Sequence, residues 1–160
     1  MSEAIAILSE YELERGKPMP SKNHSFVQKR ILVNLELHYS NQFEVLPELS
    51  LDLPVRDRVP DLAIYDKRQL SFTPGADEIK VSEIPLCMIE IMSPTQNFSE
   101  FHHKRREYFK AGTKSYWLIL PDLLTVYVYH ELEDYEIFTR KDKLVDRQLG
   151  IEIDLGEIFR

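Results

Sequence analysis

Two strongly apolar runs, separated by a helix-like segment, restrict what this chain can fold into. The runs are LCMIEIM (86–92) and SYWLIL (115–120). The segment between them, FSEFHHKRREYFKAG, ends at Gly112, a residue type common at helix C-termini. Strands joined by a helical crossover lie parallel in one sheet, whereas strands joined by a tight turn lie antiparallel. The sequence therefore predicts an α/β chain whose mixed sheet contains a parallel pair.

Further predicted elements surround this parallel pair. Apolar residues recur at helical spacing over residues 25–40, where Ser25 with Gln28 matches a capping box. Strand-like runs follow in FEVLPELSLDL, which Pro47 interrupts at a bulge or a sheet edge, and in VPDLAIYD. The run LTVYVYHELEDYEIFT predicts a β-hairpin, and IEIDLGEIF predicts a short strand with an amphipathic tail. Because no linker divides these elements, residues 1–160 are predicted to form one domain with flanking helices and an added hairpin.

Charge and cysteine content restrict the environment and partners of the chain. The 20 Lys and Arg residues against 27 Asp and Glu leave a net charge of −7, which argues against coating nucleic acid by bulk charge. A single cysteine excludes an intrachain disulfide, so a reducing cytoplasm is expected. No apolar run reaches about 18 residues and no basic leader is present, so neither a membrane span nor a signal peptide is predicted. No glycine-rich phosphate or dinucleotide loop occurs, so no organic cofactor is expected.

Two acids stand where the strand patterns predict burial. Glu90 lies within LCMIEIM, where apolar neighbours occupy both faces, so its carboxylate leaves water whichever way it points. Asp61 follows Pro60 at the start of a second strand-like run. Adjacent strands lie about 4.8 Å apart, which is close enough for two carboxylates to share one divalent cation. A single acid at a strand end is more often a cap or an ion-pair partner than a metal ligand, whereas two acids on successive strands favour a shared metal site.

The helix-like segment after Glu90 carries the nearest cations. Between residues 101 and 115 there are five Lys and Arg residues and one acid, in a chain that is acidic overall. At about 100° per residue, Phe101, Arg105 and Tyr108 share one face and Lys104 lies on its flank. This periodicity favours neither Lys104 nor Arg105 as the inward cation. An ordinary solvated helix with extended lysine and arginine stems explains the same pattern.

Other chemically reactive residues give weaker signals. Cys87 lies in the apolar run and is interpreted as a buried structural thiol rather than the nucleophile of a Cys–His hydrolase. His102 and His103 are adjacent on the predicted helix, so their side chains point about 100° apart and do not face one ion. His24 precedes the first predicted helix and is interpreted as a helix cap.

The runs RVPDLAIYD, PLCMIEIMSPT and HHKRREYFKAGTKSYWLILPD together resemble the Uma-two family of putative restriction endonucleases, long labelled a domain of unknown function. The order and spacing match from residue 11 to residue 129, roughly three quarters of the chain, and GIEIDLGEIF resembles that family's tail. The signature contains PD, an acid followed by SP, a lysine, a tyrosine four residues later, AG and YW. In this chain these are Pro60-Asp61, Glu90, Ser93-Pro94, Lys104, Tyr108, Ala111-Gly112 and Tyr116-Trp117.

The resemblance implies a restriction-endonuclease-like PD-(D/E)XK fold, a mixed sheet with flanking helices, and the activity of a metal-dependent DNA endonuclease. It implies Asp61 and Glu90 as ligands of Mg²⁺ or Mn²⁺, with Lys104 as the third catalytic residue. The lysine usually found two residues after the second acid is absent, because Met92 stands there. In this family the lysine lies on the following helix, where Lys104 stands.

The resemblance also implies accessory positions and partners. Glu12 and His24 match an acid and a histidine of the family, and Tyr108 is a third accessory candidate. DNA is the expected partner, and a homodimer is expected by analogy with superfamily nucleases, with the aromatic hairpin offering an exposed edge. The candidates for contacts to flanking phosphates are Arg105, Arg106 and Lys110.

Two alternatives to a DNA endonuclease stay open at this point. The first is a non-catalytic binding or regulatory module on the same fold, which Met92 and the acidic net charge favour. It predicts that Glu90 and Lys104 form a structural ion pair. The second is hydrolysis of another phosphate ester, which requires a closed small pocket rather than an open cleft.

Overall fold

The structure, a computed structural model, describes residues 19–160. Its helices are α1 (Lys22–Tyr39), α2 (Phe98–Ala111) and the single-turn α3 (Leu155–Ile158), and a short 3-10 helix spans Pro121–Leu123. Its strands are β1 (Phe43–Pro47), β2 (Leu51–Asp52), β3 (Asp57–Arg58), β4 (Leu62–Asp66), β5 (Cys87–Ile91), β6 (Ser115–Leu120), β7 (Thr125–Tyr129), β8 (Tyr135–Thr139), β9 (Lys143–Asp146) and β10 (Ile151–Asp154).

A six-stranded mixed sheet with the order β1-β4-β5-β6-β7-β8 forms the centre of the fold. Strands β5 and β6 are parallel and are connected through α2, whereas the other neighbouring pairs in this sheet are antiparallel. This arrangement confirms the predicted parallel pair with a helical crossover. Strands β7 and β8 form the predicted hairpin at one edge, and β1, which ends at Pro47, forms the other edge.

The start of the first helix was predicted one turn too late. Helix α1 begins at Lys22, and its N-cap is Ser21, whose side chain accepts a hydrogen bond from the backbone N–H of His24 at 3.2 Å. Ser25 therefore lies inside the helix, so the capping box proposed for it is wrong. A serine hydroxyl can accept from the N–H three residues later at either position, so the sequence pattern alone does not separate them.

The central sheet buries both of its faces. One face packs against α1 and α3 through aliphatic residues such as Ile31, Leu35 and Ile89, and the other packs against α2 through Met88 and Tyr108. All five residues of β5 are buried, as its continuous apolar run predicts. Side chains alternate along a strand, so Glu90 lies on the same face as Met88 and points toward α2.

A buried acid that the sequence did not indicate connects the later strands to the sheet. Asp146 is fully buried at the end of β9, and its carboxylate accepts hydrogen bonds from Trp117 Nε1 at 2.7 Å and Ser115 Oγ at 3.0 Å. It also accepts from the backbone N–H groups of Gln148 and Leu149. These four donors satisfy the charge, so Asp146 has a structural role.

Within residues 19–160, the helices are too short or too polar to cross a membrane.

Candidate functional site

Antiparallel pairing of β4 with β5 brings the two predicted acids together. Leu62 lies opposite Ile89, and continuing this register by one residue puts Asp61 opposite Glu90. Directly opposed residues of an antiparallel pair have Cβ atoms about 4.5–5.5 Å apart. Both side chains are buried, and Asp61 Oδ2 accepts a hydrogen bond from the backbone N–H of Ile91 at 2.7 Å. Two carboxylates thus share one small volume that is shielded from water.

Helix α1 supplies the residues that contact Asp61 from one side. His24 Nε2 lies 3.0 Å from Asp61 Oδ1, and both side chains are buried. The side-chain amide of Gln28 donates to the Asp61 carbonyl at 2.8 Å and to Glu48 Oε1 at 3.1 Å. Because Ser21 caps the helix, the interpretation of His24 as a cap is wrong. Its imidazole instead lies against Asp61.

Helix α2 supplies the residues that contact Glu90. The Tyr108 hydroxyl donates to Glu90 Oε1 at 2.7 Å, and Lys104 Nζ lies 3.6 Å from Glu90 Oε2. Phe101, Lys104 and Tyr108 are the buried residues of α2, at the i, i+3 and i+7 spacing of one helix face. Lys104 is therefore the inward cation, a choice that periodicity left open. The Arg105 guanidinium lies on another side of the helix, 4.1 Å from the Tyr129 ring centroid.

The negative charge of the site acts on the tyrosines beside it. Burial raises the pKa of Tyr108 well above its ordinary value, and the Glu90 carboxylate raises this pKa further. Burial and then Glu90 also raise the pKa of Tyr116, with a smaller contribution from Asp61. Both phenols therefore stay protonated at neutral pH. Tyr108 consequently acts as a hydrogen-bond donor to Glu90.

A cavity of about 10 Å³ lies between α1, the start of β4 and the end of β5. This volume accommodates about one water-sized particle. Oxygen-rich side chains suit a hard divalent cation, and Mg²⁺ in proteins is commonly held by one or two carboxylates together with water. The Asp61 and Glu90 carboxylates fit that donor chemistry. The cavity is lined by Pro20, His24, Glu48, Asp61, Glu90, Ser93 and Gln96.

The remaining predicted site residues lie apart from this cavity. Arg106 and Lys110 are exposed on α2 and line a groove on its outer side. Cys87, which was interpreted as a buried structural thiol rather than a site residue, is fully buried, and burial raises the pKa of its thiol well above the ordinary value. Glu12 lies outside the described residues. Among residues 19–160, no group of three or more His, Cys, Asp or Glu side chains is arranged to hold a metal ion.

Several residues that line or support the site were not recognisable as such from the sequence. Glu48 follows the edge strand β1, and its backbone N–H donates to the Asp61 carbonyl at 3.3 Å. Gln28 was assigned to a capping box, although its amide contacts Asp61 and Glu48. Gln96 lines the cavity, and its side-chain oxygen accepts from the backbone N–H of Ser93 at 3.0 Å. None of these residues follows a periodic pattern that would have indicated its role.

A solved structure defines the class of fold. A putative nuclease belonging to DUF820 from Anabaena variabilis matches with a TM-score of 0.77 and 22% sequence identity, over 89% of this chain and 83% of that one. The two share a fold, a mixed sheet with flanking helices and a restriction-endonuclease-like core. A cryo-EM structure of a DrdV–DNA complex matches at a TM-score of 0.40 and 9% identity, over 71% of this chain and 12% of that one.

A family model identifies the family to which the chain belongs. The model of the Uma2 family, described as "Putative restriction endonuclease", matches residues 5–156. This chain is a member of the Uma2 family, as the motif resemblance indicated. No curated protein matches the sequence.

Replacing Lys104 by methionine tests whether the buried ammonium stabilises Glu90. The Lys104→Met substitution removes the cation nearest to the buried carboxylate and should lower the free energy of unfolding by about 3–5 kcal/mol. Lys110→Met, an exposed position on the same helix, should change it by less than about 0.5 kcal/mol. Urea unfolding followed by the emission of Trp117, the single tryptophan, measures both.

A double variant gives the coupling between the two side chains. Adding Glu90→Gln to Lys104→Met removes both charges, so the double variant should be more stable than the sum of the single effects predicts. A coupling energy near zero, or equal losses for Lys104→Met and Lys110→Met, would contradict the ion pair.

Proposed function

We propose that this chain is a metal-dependent endonuclease that hydrolyses phosphodiester bonds in DNA. In this proposal Asp61 and Glu90 hold Mg²⁺ or Mn²⁺, and Lys104 assists the attacking water. The observation that supports it best is the opposed pair of buried carboxylates, with a buried ammonium 3.6 Å from one of them. Membership of a family described as "Putative restriction endonuclease" also supports it.

The proposed chemistry assigns a separate task to each of the three residues. A divalent cation, when bound, supplies Lewis-acid polarisation of a phosphoryl oxygen and makes water more acidic. Asp61 and Glu90 present their oxygens to that cation from neighbouring strands. Lys104 orients or deprotonates the attacking water, or stabilises the negative charge that develops on the phosphoryl oxygens.

Two neighbours position the carboxylates without touching the substrate. His24 contacts Asp61 Oδ1 and restricts the rotation of that carboxylate, and Tyr108 does the same for Glu90 through Oε1. The remaining oxygens lie near Lys104 and the backbone of β5. Glu12 remains a predicted accessory residue.

A plasmid assay tests the proposed activity. Purified protein incubated with supercoiled DNA and Mg²⁺ or Mn²⁺ should convert it to nicked and linear forms. Asp61→Asn, Glu90→Gln and Lys104→Ala should each lower the rate by at least about 100-fold, as expected when one charged group of a reaction centre is removed.

Asp122 provides the matched control for this assay. It is an exposed acid in the 3-10 helix after β6, so Asp122→Asn makes the same chemical change away from the site and should cleave at the wild-type rate. Equal nicking by wild type and Asp61→Asn would contradict the mechanism.

A non-catalytic binding or regulatory module is the second candidate, and one observation favours it. The contacts of Glu90 with Lys104 and of Asp61 with His24 pair each buried acid with a basic side chain of the chain itself. Such pairs can stabilise a fold without any bound ion.

The cavity of about 10 Å³ disfavours the third possibility, a small organic phosphate ester enclosed in a pocket.

Calorimetric titration with Mn²⁺ separates the first two candidates. The endonuclease proposal predicts micromolar binding that is lost in Glu90→Gln and retained in Asp122→Asn, because only the former removes a proposed ligand. Absence of Mn²⁺ binding by the wild-type chain, together with absence of nicking, would favour the binding module.

The proposal includes a homodimer located in the cytoplasm, which would place two reaction centres on one duplex. The edge strand β8 supports the homodimer, because β8 has a free edge in the described sheet and exposes Tyr135 and Ile137. Light scattering should give twice the chain mass of 18.9 kDa, and the mass of a monomer at micromolar concentration would contradict it.

A further inference from the structure

A cationic groove runs along the outer side of α2, between this helix and the hairpin that β2 and β3 form as an antiparallel pair. One part of the groove has a volume of about 390 Å³ and is lined by Arg56, Arg58, Glu100, His103, Lys104 and Glu107. An adjoining part of about 450 Å³ shares His103 and Glu107 with it and continues past Arg106 and Lys110. The two parts together form one open surface, which we call the α2 groove.

The α2 groove has the opposite charge to the chain as a whole. Its lining contains five Lys and Arg residues and two Glu residues, whereas the whole chain carries −7. His103, Arg106 and Lys110 follow each other at the i, i+3 and i+7 positions of α2, which span about 10 Å along the helix. Each DNA strand carries a phosphate about every 3.4 Å of duplex axis. The groove therefore matches a short stretch of polyanion in charge and in length.

Glu107 holds the two arginines of the hairpin in place. Arg58 donates to both carboxylate oxygens of Glu107, at 2.7 and 3.0 Å, and Arg56 Nε lies 3.3 Å from Glu107 Oε1. Burial alone would raise the pKa of Glu107, but Arg58 and Arg56 lower it below its ordinary value, so the acid stays ionised near neutral pH. A guanidinium has five N–H donors, and most of those on Arg56 and Arg58 are not used by Glu107.

Lys104 connects the α2 groove to the candidate site. It lines the groove, and its Nζ lies 3.6 Å from Glu90 Oε2. Burial lowers the pKa of Arg58, Glu107 raises it above the ordinary value, and Tyr108 and Glu90 make smaller contributions in the same direction. A chain of phosphates in the groove would therefore end beside the two buried carboxylates.

We infer that the α2 groove binds the phosphate backbone of a DNA strand. Arg56 and Arg58 of the hairpin contact the phosphates in addition to the residues of α2. The inference rests on the proposed function for the identity of the polyanion. Arginine forks match the geometry of phosphate oxygens, and such contacts orient a nucleic acid without reading its sequence. The groove thus positions the scissile strand, and sequence recognition belongs elsewhere.

Salt-dependent DNA binding tests this inference without turnover. Fluorescence anisotropy of a labelled duplex, in EDTA and in Ca²⁺, gives the affinity at several NaCl concentrations, and gel electrophoresis verifies that the DNA stays intact. Arg56→Gln and Arg106→Gln each remove one exposed charge from the groove. Each variant should bind more weakly and reduce the slope of log K against log salt by about 1.

Arg68→Gln is the matched control, because Arg68 is exposed and pairs with Asp66 in a loop outside the groove. It makes the same change in net charge and should keep the wild-type affinity and slope. The inference is overturned if the groove variants match wild type, if Arg68→Gln loses as much as they do, or if no DNA binds in either buffer. Equal affinity for polyglutamate would overturn the assignment of the groove to DNA.

The same variants distinguish a failure of this inference from a failure of the proposed function. Nicking that persists in Asp61→Asn contradicts the catalytic proposal and leaves the binding result intact. Nicking that requires Asp61, combined with wild-type DNA binding by Arg56→Gln and Arg106→Gln, contradicts the groove alone.

Discussion

The burial of two neighbouring carboxylates is the constraint on which the rest of the site depends. Two like charges side by side away from water repel each other, and both lose hydration. The fold offsets this cost from three directions. Helix α1 brings His24 to Asp61, β5 donates its backbone N–H at Ile91, and α2 brings Lys104 and Tyr108 to Glu90. A divalent cation bound between the carboxylates would also offset their repulsion. Pairing with the protein's own side chains and metal binding therefore lower the same electrostatic cost.

The two faces of helix α2 contact different parts of the molecule, the buried acids on one side and the α2 groove on the other. This arrangement explains how an acidic chain could act on DNA. The inner face of α2 carries Tyr108 to Glu90, Lys104 contacts Glu90 and also lines the α2 groove, and the outer face supplies the other helix residues of the groove. The net charge of −7 is a sum over the whole chain, and it does not reveal the positive region beside the buried acids. What the net charge does exclude is strong binding of DNA over the whole surface, because electrostatic affinity depends on the cations that reach the phosphates.

The sequence predicted the elements that depend on local pattern. The continuous apolar run around Glu90 predicted a strand buried on both faces, and the helix between two such runs predicted their parallel pairing; both predictions are confirmed. Ser21 rather than Ser25 caps α1, and the sequence pattern did not separate them because either serine could accept from an N–H three residues later. Periodicity left Lys104 and Arg105 equivalent, since about 100° separates neighbouring residues and either one could turn inward.

The sequence by itself determined the family, the parallel pair with its helical crossover, and two acids in positions where burial was expected. Only the tertiary structure decided what surrounds those acids. The contacts of Asp61 with His24 and of Arg58 with Glu107 join residues that lie 37 and 49 positions apart. Such contacts depend on how helices and a hairpin pack on the sheet. Local patterns of hydrophobicity specify which residues are buried, whereas partners across the fold are set by packing that no local pattern encodes.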